Sequence, residues 1–96
     1  MCNANADFFL GTEDYPDAIR LHRQLLAHHP RNALAHYHLG FAYGMTGRQK
    51  QELKEYQRAA SLGLIDWSLF LNLGLAYFEQ GDLRSATSIL RLASVR

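Results

Sequence analysis

The chain has 96 residues, of which 48% are hydrophobic and 20% are charged, a composition that is typical of one folded domain and excludes a disordered chain. Ten basic and nine acidic residues leave a net charge of +1, which gives no electrostatic basis for binding nucleic acid or a membrane surface. The one cysteine, Cys2, cannot form an internal disulfide, no apolar run is long enough to span a bilayer, and the start lacks a secretion signal. We therefore expect a cytoplasmic protein with no membrane segment.

The first helix signal is Asp14 followed by Pro16, because an N-cap residue and a proline in the first turn both favour helix initiation. The helix predicted from this point ends before Pro30. Its apolar residues form one stripe, which consists of Ala18, Ile19, Leu21, Leu25 and Leu26.

Two further helices are predicted in the middle of the chain. Asn32 is the expected N-cap of a helix that extends to Thr46, with Gly47 in the left-handed conformation after its end. The next helix follows a short polar start at Arg48 and ends at Gly63. Its apolar residues are Leu53, Tyr56, Ala59 and Ala60.

The last two helices are predicted from Asp66, which is a good N-cap residue, to the end of the chain. Ile65 and Phe70 have the spacing of a hydrophobic staple across this cap. Gly81 ends the first of these helices, and Asp82 caps the second. The second helix carries Leu83, Ala86, Ile89, Leu90 and Ala93. Because the turns are short and no segment shows strand alternation, the pattern predicts an all-α protein with antiparallel neighbouring helices.

One string occurs twice, as Leu-Gly-x-Ala-Tyr followed by a glycine four residues after the tyrosine. The two copies are Leu39-Gly40-Phe41-Ala42-Tyr43 with Gly47, and Leu73-Gly74-Leu75-Ala76-Tyr77 with Gly81. Every matched position is offset by 34 residues, and Ala59 and Ala93 continue this register. A repeat of this length indicates one supersecondary unit that is stacked on copies of itself.

The repeat resembles the tetratricopeptide repeat (TPR), in which an aromatic residue, Leu-Gly and Tyr in one helix are followed by Ala, an aromatic residue and Ala in the next. Outside the repeated string, the resemblance is carried by Tyr56, Ala59, Phe70, Ala86 and Ala93, and in a weaker first copy by Phe9, Tyr15, Ala18 and Pro30. It implies a right-handed superhelical stack of antiparallel helix hairpins with about 2.5–3 repeats. The single domain would cover residues 1–96, with repeats at about 1–32, 33–66 and 67–96 and a shortened first helix.

Three residues depart from the TPR pattern. Glu52 occupies the position of a small alanine, His36 that of the first aromatic residue, and Leu64 that of the closing proline. We expect the Glu52 carboxylate to reach solvent or to pair with a cation such as Arg48, and the second hairpin to be slightly splayed.

The first helices of the second and third repeats are apolar nearly all round, whereas a surface helix normally has a polar face. At about 100° per residue, the side opposite the packing face of each helix still carries large apolar residues. In TPR proteins this side lines a concave groove that holds peptides. The resemblance therefore implies a groove lined by Asp7, Leu34, Tyr37, His38, Phe41, Met45, Leu71, Asn72, Leu75, Phe78 and Glu79.

The predicted function is a non-catalytic protein-protein interaction module that binds an apolar peptide or helix in this groove. Two alternatives remain open. In one, the groove side chains pack only on one another. In the other, the chain is a structural element that forms a homo-oligomer through the groove or through uncapped ends, where Leu90, Leu92 and Ala93 lack a covering helix.

The basic clamp with which some TPR proteins bind acidic tails is absent from this sequence. The matching positions hold Asn3, Asp7, His38, Ser68 and Asn72, and none of these residues is a lysine or an arginine. An acidic tail is therefore not the expected partner.

Metal binding by histidines is a third hypothesis, because five histidines lie between His22 and His38. No two of them have the i, i+4 spacing of a helical zinc site, and no nearby cysteine or carboxylate completes such a site, so we assign no metal and no other cofactor. The sequence also contains no phosphate-binding glycine loop and no Ser/His/Asp arrangement in a suitable context. We therefore predict no catalytic residues and no enzyme activity.

Overall fold

The computed structural model describes residues 14–94, which form five helices and contain no strand. The helices are α1 (Tyr15–His28), α2 (Ala33–Met45), α3 (Gln49–Ser61), α4 (Trp67–Glu79) and α5 (Leu83–Ser94). Each helix packs mainly on the helices next to it in the sequence. The predicted all-α stack of helix hairpins is thereby confirmed. The shortened first helix, with Phe9, lies outside the described residues.

Four of the five helices begin at the N-cap residues that the sequence predicts. In each case a side-chain oxygen accepts a hydrogen bond from the backbone N–H three residues later, at 3.0–3.4 Å. These caps are Asp14, Asn32, Asp66 and Asp82. The bond from the Ser85 N–H lowers the pKa of Asp82, as expected when a donor stabilises the charged carboxylate. Only α3, which follows Arg48, has no side-chain cap.

Three glycines make the turns that follow α2, α3 and α4. Gly47, Gly63 and Gly81 have φ angles of 79°, 94° and 83°, in the left-handed region that residues with a Cβ atom rarely adopt. Each of these glycines was predicted as a helix end. Because they let the chain reverse within a few residues, consecutive helices lie side by side.

The core consists of two clusters along the stack. The first lies between α1 and α2, and its buried members are Ile19, Leu39, Ala42 and Tyr43. The second joins α3 to α4, and its buried members are Tyr56, Ala59, Leu69, Leu73 and Ala76. The repeated string therefore supplies the packing residues of both α2 and α4, as a stacked repeat requires.

Close contact between paired helices occurs at the two glycines of the repeated string. A Cβ atom at Gly40 would lie 2.7 Å from Cδ1 of Tyr56 on α3, and one at Gly74 would lie 2.5 Å from Cδ2 of Leu90 on α5. Both distances are shorter than the contact distance of two carbon atoms, which is about 3.5–4.0 Å. The prediction that these glycines allow a close helix approach is confirmed.

His36 connects three segments of the chain. Its Nδ1 lies 2.6 Å from the Glu55 carboxylate on α3, and its Nε2 lies 2.9 Å from the Pro30 carbonyl in the turn before α2. The ring is buried. A polar side chain thus stands where the TPR pattern has an aromatic one, and its hydrogen bonds hold α2 against α3.

One local expectation is wrong, and one of the two alternatives for Glu52 is not observed. Ile65 is 87% exposed, so the predicted staple with Phe70 does not cover it. The Arg48 guanidinium lies 5.9 Å from the centre of the Tyr43 ring and is not paired with Glu52. Contact with an aromatic face is an alternative to a carboxylate for an arginine side chain, and here it directs Arg48 away from Glu52.

Candidate functional site

The outward sides of α2 and α4 expose large apolar side chains, and Trp67 at the first position of α4 is also 45% exposed. On α2, Leu39 and Tyr43 are buried while Phe41 and Met45 are 36% and 53% exposed. On α4, Leu73 is buried while Leu75 and Phe78 are 47% and 60% exposed. These exposed residues follow from the all-round apolar pattern of both helices, since only one side of each helix can pack on its partner.

The exposed side chains of α2 and α4 meet in one pocket with a volume of about 350 Å³. Its ten lining residues, which we call the trough, are Phe41, Gly44, Met45, Gln49, Glu52, Tyr56, Asn72, Leu75, Phe78 and Glu79. Six of the ten belong to the groove predicted from the sequence: Phe41, Met45, Asn72, Leu75, Phe78 and Glu79. The trough is therefore a mainly apolar concavity with a few polar groups, as is common for ligand sites in proteins.

The sequence reasoning missed Gly44, Gln49, Glu52 and Tyr56 as lining residues. Three of them lie on α3, the second helix of its hairpin, which the sequence reasoning treated only as packing. A signal for Glu52 was present, because this residue stands where the TPR pattern has alanine. A long polar side chain at that position can extend into the groove, and in the structure Glu52 does so.

Tyr37 and Asn72, two predicted groove residues, bind each other across the stack. The Asn72 amide donates a hydrogen bond of 3.0 Å to the Tyr37 hydroxyl, which joins α4 to α2. The Tyr37 ring also contacts the Tyr56 ring, with the ring centres 5.8 Å apart. Burial raises the pKa of Tyr37 above its usual value, so its hydroxyl stays protonated near neutral pH. This pair fixes the distance between the two helices that carry the trough.

The remaining predicted groove residues are not among the trough residues. Leu34, His38 and Leu71 are partly buried, and the His38 ring lies perpendicular to the His22 ring on α1, with the ring centres 5.6 Å apart. Asp7 lies outside the described residues. Among the predicted groove residues, Phe41, Met45, Leu75 and Phe78 are thus exposed, whereas Leu34, His38 and Leu71 are partly buried.

Glu52 extends from the first turn of α3 into the trough. The Tyr56 side chain follows one helical turn later on the same helix and also lines the trough. Burial raises the pKa of Glu52, and the negative charge of Glu79 raises it further. Burial, followed by the charge of Glu52, also raises the pKa of Tyr56 above its usual range, which keeps its hydroxyl protonated as a donor.

No lysine or arginine is among the trough residues in the described part of the chain. Within residues 14–94, Arg20 pairs with Asp17 and the His36 ring is hydrogen-bonded to Glu55, and neither contact involves the trough. The trough is therefore apolar with two carboxylates and no basic side chain from residues 14–94.

Other concavities of the described residues are more open and lack a comparable set of apolar side chains. One of about 400 Å³ lies against α3 and is lined by His36, Lys54, Glu55, Gln57, Arg58 and Ser61. A larger one of about 690 Å³ surrounds the turn between α1 and α2 and is lined by Leu25, His28, His29, Pro30, Arg31 and Asn32. Neither combines large exposed hydrophobic residues from two helices.

Two further observations concern other classes of site. Within residues 14–94, His, Cys, Asp and Glu side chains do not come together in groups of three or more that could hold a metal ion. None of the described helices has the length and apolar character that crossing a membrane requires.

The stack of antiparallel hairpins with a concave face is the TPR fold. Comparison with solved structures identifies TPR domains with this fold. No protein-family model and no curated protein matches the sequence.

Three similar solved structures illustrate the likeness. MamA from Desulfovibrio magneticus RS-1 superposes with a TM-score of 0.83 at 22% identity, over 92% of this chain and 50% of that one. The second TPR of Spaghetti (RPAP3), bound to an HSP90 peptide, has a TM-score of 0.87 at 21% identity, over 93% of this chain and 82% of that one. The Yersinia enterocolitica type III secretion translocator chaperone SycD has a TM-score of 0.87 at 19% identity, over 94% of this chain and 62% of that one. This chain spans about half the length of the MamA structures, and at these identities the likeness establishes the fold.

Proposed function

We propose that this chain is a non-catalytic protein-interaction module that binds an apolar peptide segment or an amphipathic helix in the trough. The observation that carries the proposal is the convergence of Phe41, Met45, Leu75 and Phe78, all exposed, on one pocket. Large apolar side chains that cluster on a surface mark sites for partners, and an apolar groove between helices fits the apolar face of a guest helix.

Two of the similar structures support an interaction role. The RPAP3 TPR holds an HSP90 peptide, and SycD is a translocator chaperone. The HSP90 peptide, SRMEEVD, has three acidic residues. The trough described here contains Glu52 and Glu79, so like charges would repel such a peptide. The proposed guest is therefore apolar or amphipathic and not acidic.

A peptide-display experiment tests the proposal. A random peptide library is selected on the wild-type chain, and the enriched peptides are synthesised and titrated against wild type and against the double variant Phe41→Glu/Leu75→Glu. We expect enriched peptides to be rich in apolar residues and to lose at least about tenfold in affinity for the double variant, because two charges then occupy the apolar walls.

Leu92→Glu is the matched control for these substitutions. Leu92 is 53% exposed, close to the 47% of Leu75, but it lies on α5 outside the trough. The control should bind as wild type does, and circular dichroism should show the same helix content in all three proteins. Peptides that bind the double variant as tightly as wild type would overturn the trough as the binding site.

A second candidate function is self-association, and the same four exposed apolar side chains favour it because another copy can cover them. Association through α5 has less support. Ala93 is buried and Leu90 packs on Gly74, which leaves Leu92 as the exposed member of the predicted uncapped end. Light scattering over a range of concentrations separates the candidates: a mass that rises in wild type but not in Phe41→Glu/Leu75→Glu supports self-association, and a constant monomer mass excludes it.

A further inference from the structure

We propose that the trough selects segments that carry a lysine or an arginine among apolar residues, and that the carboxylates of Glu52 and Glu79 receive the cationic group. The proposal rests on the proposed function and adds the chemical class of the guest. Its occupant is a basic amphipathic segment of another protein.

The arrangement of charge and apolar surface in the trough suits such a side chain. Glu52 and Glu79 line the same pocket as Leu75 and Phe78. Lysine and arginine place their methylene stems on apolar surface while the charged group reaches a polar partner. The apolar walls would therefore contact the stem, and the carboxylates would bind the charged group.

The sequence provides a space for Glu52 that a regular repeat lacks. A Cβ atom at Gly44 would overlap with the Glu52 carboxyl group in its present rotamer, so glycine at this position lets the carboxyl group lie against α2. One repeat later, 34 residues on, the equivalent residues are Phe78 and Ala86, a large side chain on the first helix and a small one on the second. In the second repeat the small residue, Gly44, lies on the first helix and the large one, Glu52, lies on the second. This arrangement places a carboxylate in the trough.

Both carboxylates lie in positions where a cation would stabilise them. The charge of Glu79 disfavours ionisation of Glu52, which burial already disfavours. Glu79 is the last residue of α4, where the negative end of the helix dipole also disfavours an acidic side chain. Arg48, four residues before Glu52, lies over the Tyr43 ring instead. A basic guest would supply the missing positive charge.

Contacts between α3 and α4 position the groups of the trough. Tyr56, one helical turn after Glu52 on α3, is buried in the core cluster between these two helices. The Gln80 amide donates a hydrogen bond of 2.9 Å to the Gln49 carbonyl and so ties the end of α4 to the start of α3. Because the groups that would meet the cation are already positioned, little ordering is needed when the guest binds.

The test starts from the peptides selected on wild type. Each enriched peptide that contains a lysine or an arginine is synthesised a second time with norleucine at that position, which keeps the stem length of lysine and removes its charge. Both versions are titrated against wild type, against Glu52→Gln/Glu79→Gln, and against Asp17→Asn. The last variant is the matched control, because it removes a carboxylate on α1, where Asp17 faces Arg20.

We expect basic residues to be enriched in the selected peptides. The basic peptide should bind wild type and Asp17→Asn alike, and should bind Glu52→Gln/Glu79→Gln about tenfold more weakly. The norleucine peptide should show no difference among the three proteins. Added salt should weaken the binding of the basic peptide and not that of the norleucine peptide.

The outcomes distinguish this inference from the proposed function. Selected peptides that are apolar without a basic residue, or that bind Glu52→Gln/Glu79→Gln as tightly as wild type, overturn the inference and leave the apolar trough intact. Enrichment of acidic peptides also overturns it. If no peptide is enriched, or if the norleucine and other uncharged peptides bind Phe41→Glu/Leu75→Glu as tightly as wild type, both the proposed function and the inference fail.

Discussion

At the scale of single residues, Glu52 is the side chain that most distinguishes this chain from a regular repeat. It replaces a small packing residue of the TPR pattern and enters the trough beside Gly44. A carboxylate in partly buried, mainly apolar surroundings destabilises a folded chain unless a cation compensates. Residues that reduce stability in this way are often kept for binding.

We expect Glu52→Gln to raise the melting temperature at about pH 7 and to raise it much less at about pH 4. Since the pKa of Glu52 is raised in the folded chain, the unfolded chain loses this proton at a lower pH than the folded chain does. Stability is therefore lost as pH rises from about 4.5 through the raised folded pKa. Glutamine has nearly the same shape as glutamate but does not ionise.

Thermal unfolding followed by circular dichroism at both pH values measures this effect. Asp17→Asn serves as the control, because it removes a carboxylate from an exposed ion pair. It is not expected to raise the melting temperature as Glu52→Gln does. An equal gain at both pH values, or no gain at neutral pH, would contradict the proposed position of Glu52.

At the scale of helices, the distance between the members of each hairpin depends on Gly40 and Gly74. The two glycines occupy equivalent positions in the repeat but face different neighbours. Gly40 faces the ring of Tyr56 and the backbone oxygen of Glu52, whereas Gly74 faces only the side chain of Leu90. A buried ring and a backbone oxygen cannot move aside as a leucine side chain can.

We expect Gly40→Ala to destabilise the chain by about 2 kcal/mol, because the new methyl group overpacks the α2–α3 contact. Gly74→Ala should reduce the free energy of unfolding by a smaller amount. Leu90 can change its rotamer, and alanine favours the helix by about 1 kcal/mol over glycine. Urea denaturation of the two variants beside wild type gives both values. The explanation is wrong if Gly74→Ala is the more damaging change.

At the scale of the whole molecule, the stack depends on the contact between α3 and α4. Tyr56 and Ala59 on one helix and Leu69 and Leu73 on the other form a single buried cluster. In a repeat array each unit is stabilised mainly by its neighbours, so a loss at this contact affects both hairpins.

We expect Leu69→Ala to cost about 3 kcal/mol, because Leu69 is fully buried and the smaller side chain leaves a cavity. The total free energy of unfolding of a domain of this size is on the order of 5 kcal/mol, so this loss is a large part of it. Leu83→Ala, at a residue that is 58% exposed, is the control and should change the free energy of unfolding by less than about 0.5 kcal/mol. Urea denaturation measures both, and equal effects of the two variants would contradict this assignment of the core.

The sequence predicted those parts of the structure that depend on local rules. Four helix starts follow from Asp14, Asn32, Asp66 and Asp82, because a cap needs only a side-chain oxygen three residues before an N–H group. The helix ends follow from glycines with positive φ. The stack itself follows from the 34-residue register, since a repeat unit can bury its apolar face only against a neighbour.

Single side-chain partners could not be predicted in this way. Ile65 has the spacing of a staple and yet is exposed, and Arg48, which was one alternative partner for Glu52, lies over Tyr43. The hydrogen bond that the Tyr37 hydroxyl accepts from Asn72, 35 residues away, follows from no sequence pattern. Periodicity states which face of a helix a residue occupies, but not which of several nearby groups its flexible side chain will contact.

By itself, therefore, the sequence determined the helices, their order in the stack and the apolar faces of α2 and α4, because these depend on short-range chemistry and a fixed period. Only the tertiary structure decided what lies between those faces. The trough obtains its carboxylate from α3, a helix that the sequence pattern assigns to packing, and this occurs because Gly44 on α2 leaves room for Glu52. The sequence of neither helix alone predicts this contact, because Gly44 on α2 provides the space and Glu52 on α3 occupies it.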